Sequence, residues 1–416
     1  MTEVSAPAPA PTSAQTHPHP VHPLRNPAFR RLWIGSSISG IGDQFYFVAL
    51  PWLILQITGS GVALGTILMT AAVPRAALML VGGALTDRIS PRKIMMMTAG
   101  SRAVLVAALS VLLWNHVSAL WPLYVLALGF GTADAFASPA SQAFLPSIVT
   151  RDRLPAANSV SQSTTQLTTL VAPAPAGLFI KAFGTAWAFF IDAVSFLFII
   201  AALWTLPDPP RTGAGTARKN MLRTIGDGLQ YVAKDTALFS LLMVIAVLNF
   251  AITGPTSIGI AVIAKREFGS AAAFGLLASA LAAGGLLGTL LAGVSKQRNR
   301  GILLLVVSAV IGTCVGTLGL LHQFAVLAAV LFLMSTAAGF LNVQLIAWFQ
   351  QRVDQAMIGR VMSLVMFCAI GLMPFSLALA GIAVQWSLPG MFIVAGCMVL
   401  LVTILATTRQ AVREID

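Results

Sequence analysis

The sequence predicts an all-α membrane protein, with twelve transmembrane helices in two pseudo-symmetric six-helix bundles. Three observations carry that prediction. The chain of 416 residues is 57% hydrophobic and 9% charged, with a mean hydropathy of +0.87. An average soluble domain is about 25% charged, so the main solvent of this chain is lipid. Twelve apolar runs approach the ~20 residues that a spanning helix needs. One long polar stretch, 207–235, separates six of these runs from the other six.

In chain order the runs are 31–57, 61–85, 93–114, 118–138, 157–180 and 187–206, then 238–263, 272–294, 301–321, 324–348, 361–385 and 388–408. None alternates apolar and polar residues as a barrel strand would. The expected organisation is a disordered cytoplasmic tail (1–24), a first bundle (25–206), a cytoplasmic linker (207–235), a second bundle (236–408) and a cytoplasmic tail (409–416). The N-terminal tail, MTEVSAPAPAPTSAQTHPHPVHPL, lacks the apolar stretch of a signal peptide. Its His17, His19 and His22 read as solvated, and no metal is expected. Cys314, Cys368 and Cys397 lie inside apolar runs, so no disulfide framework is implied.

The formal net charge of +12 does not point to nucleic acid. Twenty of the 25 Lys and Arg fall in the tails and in every second loop; only Lys181, Lys265 and Arg266 fall in the opposite loops. That bias keeps both termini in the cytoplasm of a multi-pass cell-membrane protein.

An ionisable residue inside a spanning helix costs ~2.5–3.5 kcal/mol on insertion scales, so it usually faces a cavity or a partner. The candidates are Asp43, Arg75, Arg102, Asp134 and Asp192, all in the first half. Asp43 lies ~18 Å into the first run, near mid-bilayer. Ser36, Ser39, Asp43 and Phe47 share its face and should line the cavity. Asp43 is the first choice for a proton-carrying or cation-sensing acid; a structural ion pair with Arg102 or Arg75 is the alternative. Asp192 reads as lying near the outer end of the sixth run. In the fifth run Asn158, Gln162, Gln166 and Thr169 form a polar stripe expected to face the cavity or another helix. Asn249 and Thr253 precede Gly254-Pro255, read as a helix break, and Asn342 is a further cavity candidate.

The segment GGALTDRISPRK (82–93) joins the second and third runs. Its glycines permit close packing, Pro91 blocks helical continuation, and Arg88, Arg92 and Lys93 hold the turn in the cytoplasm. Asp87 is the odd member, since a topology anchor needs no acid. The halves look like repeats at an offset near 200–210, with GGALTDRIS (82–90) answering AGVSKQRNR (292–300). Gln297 stands where the first copy has Asp87.

The pattern Gly83, Leu85, Asp87, Arg88, Arg92, Lys93 resembles the signature loop of the major facilitator superfamily. Residues 26–60, ASPASQAFLPSIV (137–149), AANS (156–159) and IGRVMSL (358–364) resemble its drug, macrolide and siderophore exporters. On the fifth run the APAPAG of 172–177 matches the antiporter signature at Pro173 and Gly177, with Ala172 and Ala176 in place of glycines. The resemblance implies two bundles rocking around a central site. It also implies a latch in which Asp87 meets the start of the eleventh helix near Arg360. Asp134, placed at the inner end of the fourth helix, would join Asp87 and Arg88 in a charge relay.

Other classes fit less well. None of the six lysines follows a glycine, so no phosphate loop exists for an ATP-driven pump. No HExxH, GxSxG or usefully spaced acid pair supports a polytopic membrane enzyme. The expectation is therefore a secondary transporter without cofactor, working as a monomer. It would export amphipathic small molecules against a flow of protons; import of a metabolite by proton symport is the alternative.

Overall fold

A computed structural model describes residues 23–86, 89–117, 119–208, 221–295, 300–355 and 357–410, with backbone only at 79–86, 221–225 and 227–228. The first half contains α1 (Pro27–Thr58), α2 (Gly61–Thr86), α3 (Pro91–Trp114), α4 (Trp121–Ile148), α5 (Leu154–Val171), α6 (Pro173–Phe183) and α7 (Thr185–Trp204). A helix α8 (Met221–Lys234) lies within the linker stretch. The second half contains α9 (Thr236–Arg266), α10 (Ala271–Val294), α11 (Arg300–Leu318), α12 (Phe324–Arg352), α13 (Ile358–Met366), α14 (Met373–Trp386) and α15 (Leu388–Thr407). Among the described residues ten segments are long and apolar enough to cross a membrane. The remaining two expected spans are α4 and the α5–α6 pair, both diluted by polar residues.

Capping explains where the helices start. Asn26 accepts hydrogen bonds from the Ala28 and Phe29 N–H groups and donates to the Ile148 carbonyl at 2.8 Å, which ties the start of α1 to the end of α4. Asp235 caps α9 in the same way and is bound by Arg352 from the end of α12 at 3.1 Å. Tyr231 of α8 donates to Asp354 at 2.9 Å, so the linker helix is tied to the connection between α12 and α13. Large apolar side chains such as Met97 and Trp204 point outward, as a lipid-facing surface requires.

The two halves use the same pairings. In the first, α2 packs on α4, α1 and α3 on α7, and α3 on α4; in the second, α10 packs on α12, α9 and α11 on α15, and α11 on α12. Glycine makes the closest of these contacts possible. A Cβ at Gly131 of α4 would meet the Ala71 backbone of α2, and one at Gly288 of α10 would meet the Thr336 backbone of α12.

Two expectations are corrected. The fourth span does not stop at 138: α4 runs to Ile148 through Pro139 and Pro146, because prolines are tolerated where neighbouring helices surround them. Pro255 does not break α9, which is continuous. There the Ser376 hydroxyl of α14 accepts from Gly254 N–H at 2.8 Å and donates to the Phe250 carbonyl at 2.5 Å. One hydroxyl from a neighbouring helix therefore replaces the rung of the ladder between these two groups.

The halves meet tightly at the face opposite the chain termini. Gly61 and Gly65 of α2 lie on Gly381 of α14, and a Cβ at Gly65 would fall 2.8 Å from the Leu377 carbonyl oxygen. Gly177 of α6 lies on Ala271, and Gly275 of α10 lies on Pro173. Gln385 donates to Ser60 at 3.0 Å, and the Lys265 ammonium sits 4.8 Å from the Trp52 ring centre.

Candidate functional site

A cavity of about 600 Å³ opens inside the first half. It begins near the termini, at Phe29 of α1 and Asn158 of α5, and ends at Phe47 near mid-depth. The α1 face expected from spacing lines it: Ser36, Ser39, Asp43 and Phe47 all contribute. Arg102 and Thr98 of α3 form another wall. Trp33 donates to Thr164 at 2.9 Å and fixes α1 against α5.

The intramembrane charges converge. Asp134 forms an ion pair with Arg102, and its second oxygen lies 3.8 Å from Arg75. The Arg102 guanidinium stands 5.4 Å from the Phe130 ring centre and 6.0 Å from that of Phe196. Asp43 lines the same cavity as Arg102 but has no ion pair within 4.0 Å among the described residues. Arg102 therefore pairs with Asp134 and not with Asp43, contrary to the structural-pair alternative.

Asp134 and Asp192 are not where sequence placed them. Asp134 lies in the middle of α4. Its partner Arg75 is 11 residues before Thr86, ~16 Å along the helix axis. The other two members of the expected relay, Asp87 and Arg88, lie outside the described residues. Asp192 is fully buried (0% exposed) in α7, with no partner for one carboxylate oxygen among the described residues. It is packed behind Gly42, where a Cβ would fall 2.9 Å from Asp192 Oδ1 and 2.5 Å from Ser195 Cβ. Asp192 is therefore a neighbour of the Asp43 segment and no outer-end acid.

The loop residues divide. Arg92 donates to the Leu203 and Trp204 carbonyls at 2.7 and 2.9 Å, closing the C-terminus of α7. Lys93 lies 4.0 Å from Asp208, which also hydrogen-bonds Ser90. Arg92 therefore holds contacts within its own half, and Lys93 holds one to the start of the linker. Asp87, Arg88 and the surroundings of Gly83 lie outside the described residues, as do most of the two tails. Arg360 occupies the first turn of α13, near the Met357 sulfur at 3.5 Å.

Of the other cavity candidates, Asn158 and Thr169 line the cavity, while Gln162 and Gln166 do not. The lining face of α5 is Asn158, Ser161, Thr165 and Thr168, a hydroxyl stripe at helical spacing that sequence reading passed over for the larger amides. Asn249 donates back to the Ile245 carbonyl at 3.0 Å. Asn342 is exposed, and the buried amide of α12 is Gln344, which donates to the Ala292 carbonyl of α10 at 3.3 Å. Thr253 precedes the Ser376 bridge and lines neither this cavity nor the smaller one beyond it. At the antiporter-like motif, α5 ends and α6 begins at Pro173. The Ala174 N–H beyond that proline donates to Ser279 of the other half at 3.2 Å.

Residues 19–416 match the family model described as transmembrane secretion effector. The chain is 24% identical over 398 residues to the Streptococcus pyogenes protein named macrolide efflux protein A, covering 93% of this chain and 97% of that one. It is 25% identical over 343 residues to the Escherichia coli enterobactin exporter EntS, covering 81% and 80%. Among solved structures, the nucleoside transporter NupG has a TM-score of 0.73 at 12% identity, covering 94% of this chain and all of that one. A bacterial homologue of the iron transporter ferroportin in an inward-facing state has a TM-score of 0.65 at 16% identity, covering 92% and 99%. At such identities the structural likeness establishes the fold alone.

Proposed function

Because the chain belongs to the transmembrane secretion effector family of the major facilitator superfamily, we propose that this transporter exports amphipathic small molecules by proton-coupled alternating access. The observation that carries this reading is the cavity built around Asp43 and Arg102, reached from the terminal face, with the opposite face closed by glycine contacts between the halves. The Lys and Arg distribution supports a cytoplasmic terminal face, and on this reading the cavity is loaded from inside the cell.

On this reading residues 25–206 and 236–408 rock as two bodies joined by 207–235. Cargo enters beside Asp43, the halves close at the cytoplasmic face, and the glycine contacts of α2, α6, α10 and α14 separate. Asp43 lines an open cavity and has no ion pair within 4.0 Å among the described residues, which suits an acid that takes up and releases a proton. The mixed lining, hydroxyls and a few charges beside Phe29, Phe47 and Phe196, suits cargo with both polar and apolar faces. Asp87 and Arg360 would form the latch of the other conformation. The proposed working unit is a monomer, since one chain lines both cavities. The two relatives named as exporters support the outward direction.

Everted membrane vesicles carrying the protein test this reading. Uptake of a panel of dyes, macrolides and siderophores is followed under an imposed proton gradient, with and without a protonophore. The expected result is gradient-dependent uptake in wild type that Asp43→Asn abolishes. Uptake that survives the protonophore, or appears only in right-side-out vesicles, would overturn proton-coupled export.

A further inference from the structure

Beyond Phe47 lies a second, smaller cavity of about 300 Å³, to which Phe47 also contributes. It sits between the halves on the sealed side of mid-depth. Leu50 of α1 and Phe130 of α4 face Phe274 of α10 and Leu377 of α14 across it. Its walls are mostly aliphatic and aromatic, with one charged corner made by Arg75 and Asp134.

Arg75 is incompletely satisfied there. Asp134 is also the ion-pair partner of Arg102, whose side chain is 12% exposed against 46% for Arg75. The Arg75 guanidinium lies 3.8 Å from Asp134, which is beyond hydrogen-bond range. No other acceptor is within that range among the described residues. Asp43 lines the other cavity with Arg102, whereas Arg75 does not. Arg102 has Asp134 as its ion pair and shares the first cavity with Asp43, so Arg75 is the cation left without a close carboxylate of its own. A guanidinium offers five N–H donors in a planar fork that matches a carboxylate or sulfonate. At this depth such a group needs an anionic or polar partner.

We propose that Arg75 is the anion-recognition residue of a second ligand chamber, and that the ligand is an amphipathic organic monoanion. Its carboxylate, sulfonate or phenolate would meet the Arg75 fork while a flat apolar body fills the space between the halves. This rests on the reading of the chain as a transporter of amphipathic cargo, and narrows that cargo.

The test is equilibrium binding to the purified full chain in phosphatidylcholine nanodiscs, with naphthalene-2-sulfonate and the neutral naphthalene-2-sulfonamide as matched probes. Arg75→Gln is expected to weaken the sulfonate at least tenfold, about 1.4 kcal/mol, and the sulfonamide by less than about threefold. Arg75→Lys recovers part of the loss. If Arg75→Gln does not fold, Arg75→Lys decides, since losing the fork should weaken the sulfonate alone. Ala278→Trp, in α10 of the other half, fills the chamber with Arg75 intact and should remove both probes. Equal losses of both probes in the Arg75 variants would overturn the proposal, and so would sulfonate binding that survives Ala278→Trp. Competition by phosphatidylglycerol that depends on Arg75 would assign the corner to a lipid headgroup and overturn it as well. Binding is read without a gradient, so failure of proton-coupled export and failure of anion recognition give separate results.

Discussion

Gly275 and Gly284 lie on the same helix, α10, and present the same steric problem to different partners. A Cβ at Gly275 would fall 3.0 Å from the Pro173 carbonyl carbon, in the other half; one at Gly284 would fall 2.9 Å from the Phe332 carbonyl carbon, in its own half. Ordinary contacts begin near 3.4 Å, and the carbonyl oxygens lie closer still. Each Gly→Ala change must therefore push two helices apart. Overpacking of this kind costs ~1–3 kcal/mol, and the gain in helix propensity is the same at both sites. At Gly275 the cost applies only while the halves touch at the sealed face. Gly275→Ala should therefore shift the population toward the open outer face by about 5- to 150-fold, whereas Gly284→Ala should lower stability without shifting it. The assay is labelling of a cysteine at position 60 by a membrane-impermeant maleimide, after replacement of the three native cysteines. Ser60 hydrogen-bonds Gln385 across the seal, so a thiol there is shielded when the halves meet. Equal labelling of the two variants, or unchanged labelling in Gly275→Ala, would refute the assignment of this contact to the moving interface.

Ser376→Ala removes the hydroxyl that bridges Gly254 N–H and the Phe250 carbonyl, and should cost ~1–2 kcal/mol in a thermal melt in detergent, with Ser376→Thr close to wild type. An unchanged melt would show that the α9 ladder closes by itself. Gly42→Ala should destabilise by ~1–3 kcal/mol, and Ser195→Gly should restore most of that loss by vacating the space the new methyl needs; independent, additive losses would mean that Gly42 is constrained elsewhere. Arg102→Ala leaves Asp134 with only the more distant Arg75, and should cost ~3–5 kcal/mol, read as loss of monodisperse protein on size exclusion. Asp134→Asn added to it should recover part of the yield, and no recovery would mean that the ion pair is not the reason.

Helix existence was legible in the sequence because lipid imposes one rule on every span: backbone groups must be satisfied inside the segment. Helix depth was less legible, because depth is counted from ends and the ends were misread. The fourth run ends at 138, which puts Asp134 at the inner end of its helix. The ten extra residues of α4 move it to the middle of the helix, beside Arg102. The faces of α1 were read correctly, since Ser36, Ser39, Asp43 and Phe47 agree on one direction. The stripe of α5 was read in part: Asn158 and Thr169 line the cavity, while Gln162 and Gln166 do not. Two interleaved polar stripes run along that helix, and only the packing of Trp33 on Thr164 selects the hydroxyl stripe over Gln162 and Gln166. Non-local contacts were out of reach in the same way. Nothing near Pro255 announces that a serine 121 residues later completes its ladder, and nothing near Asp192 announces that Gly42 makes room for it.

The asymmetry between the halves was legible from composition alone, and it constrains the motion. Asp43, Arg102, Asp134 and Asp192 all belong to α1, α3, α4 and α7, which pack together within one half. If that half moves as one body, the Arg102–Asp134 pair travels with it, so no buried ion pair at this site must be broken at each turnover, a step that would cost several kcal/mol. Of these four only Asp134 also lines the chamber between the halves, as Phe47 and Arg75 do. Their surroundings change when the halves rock, while those of Arg102 do not. Coupling between cargo and conformation is therefore to be sought at Phe47 and Arg75, and coupling to protons at Asp43, which lines the cavity and has no ion pair within 4.0 Å among the described residues.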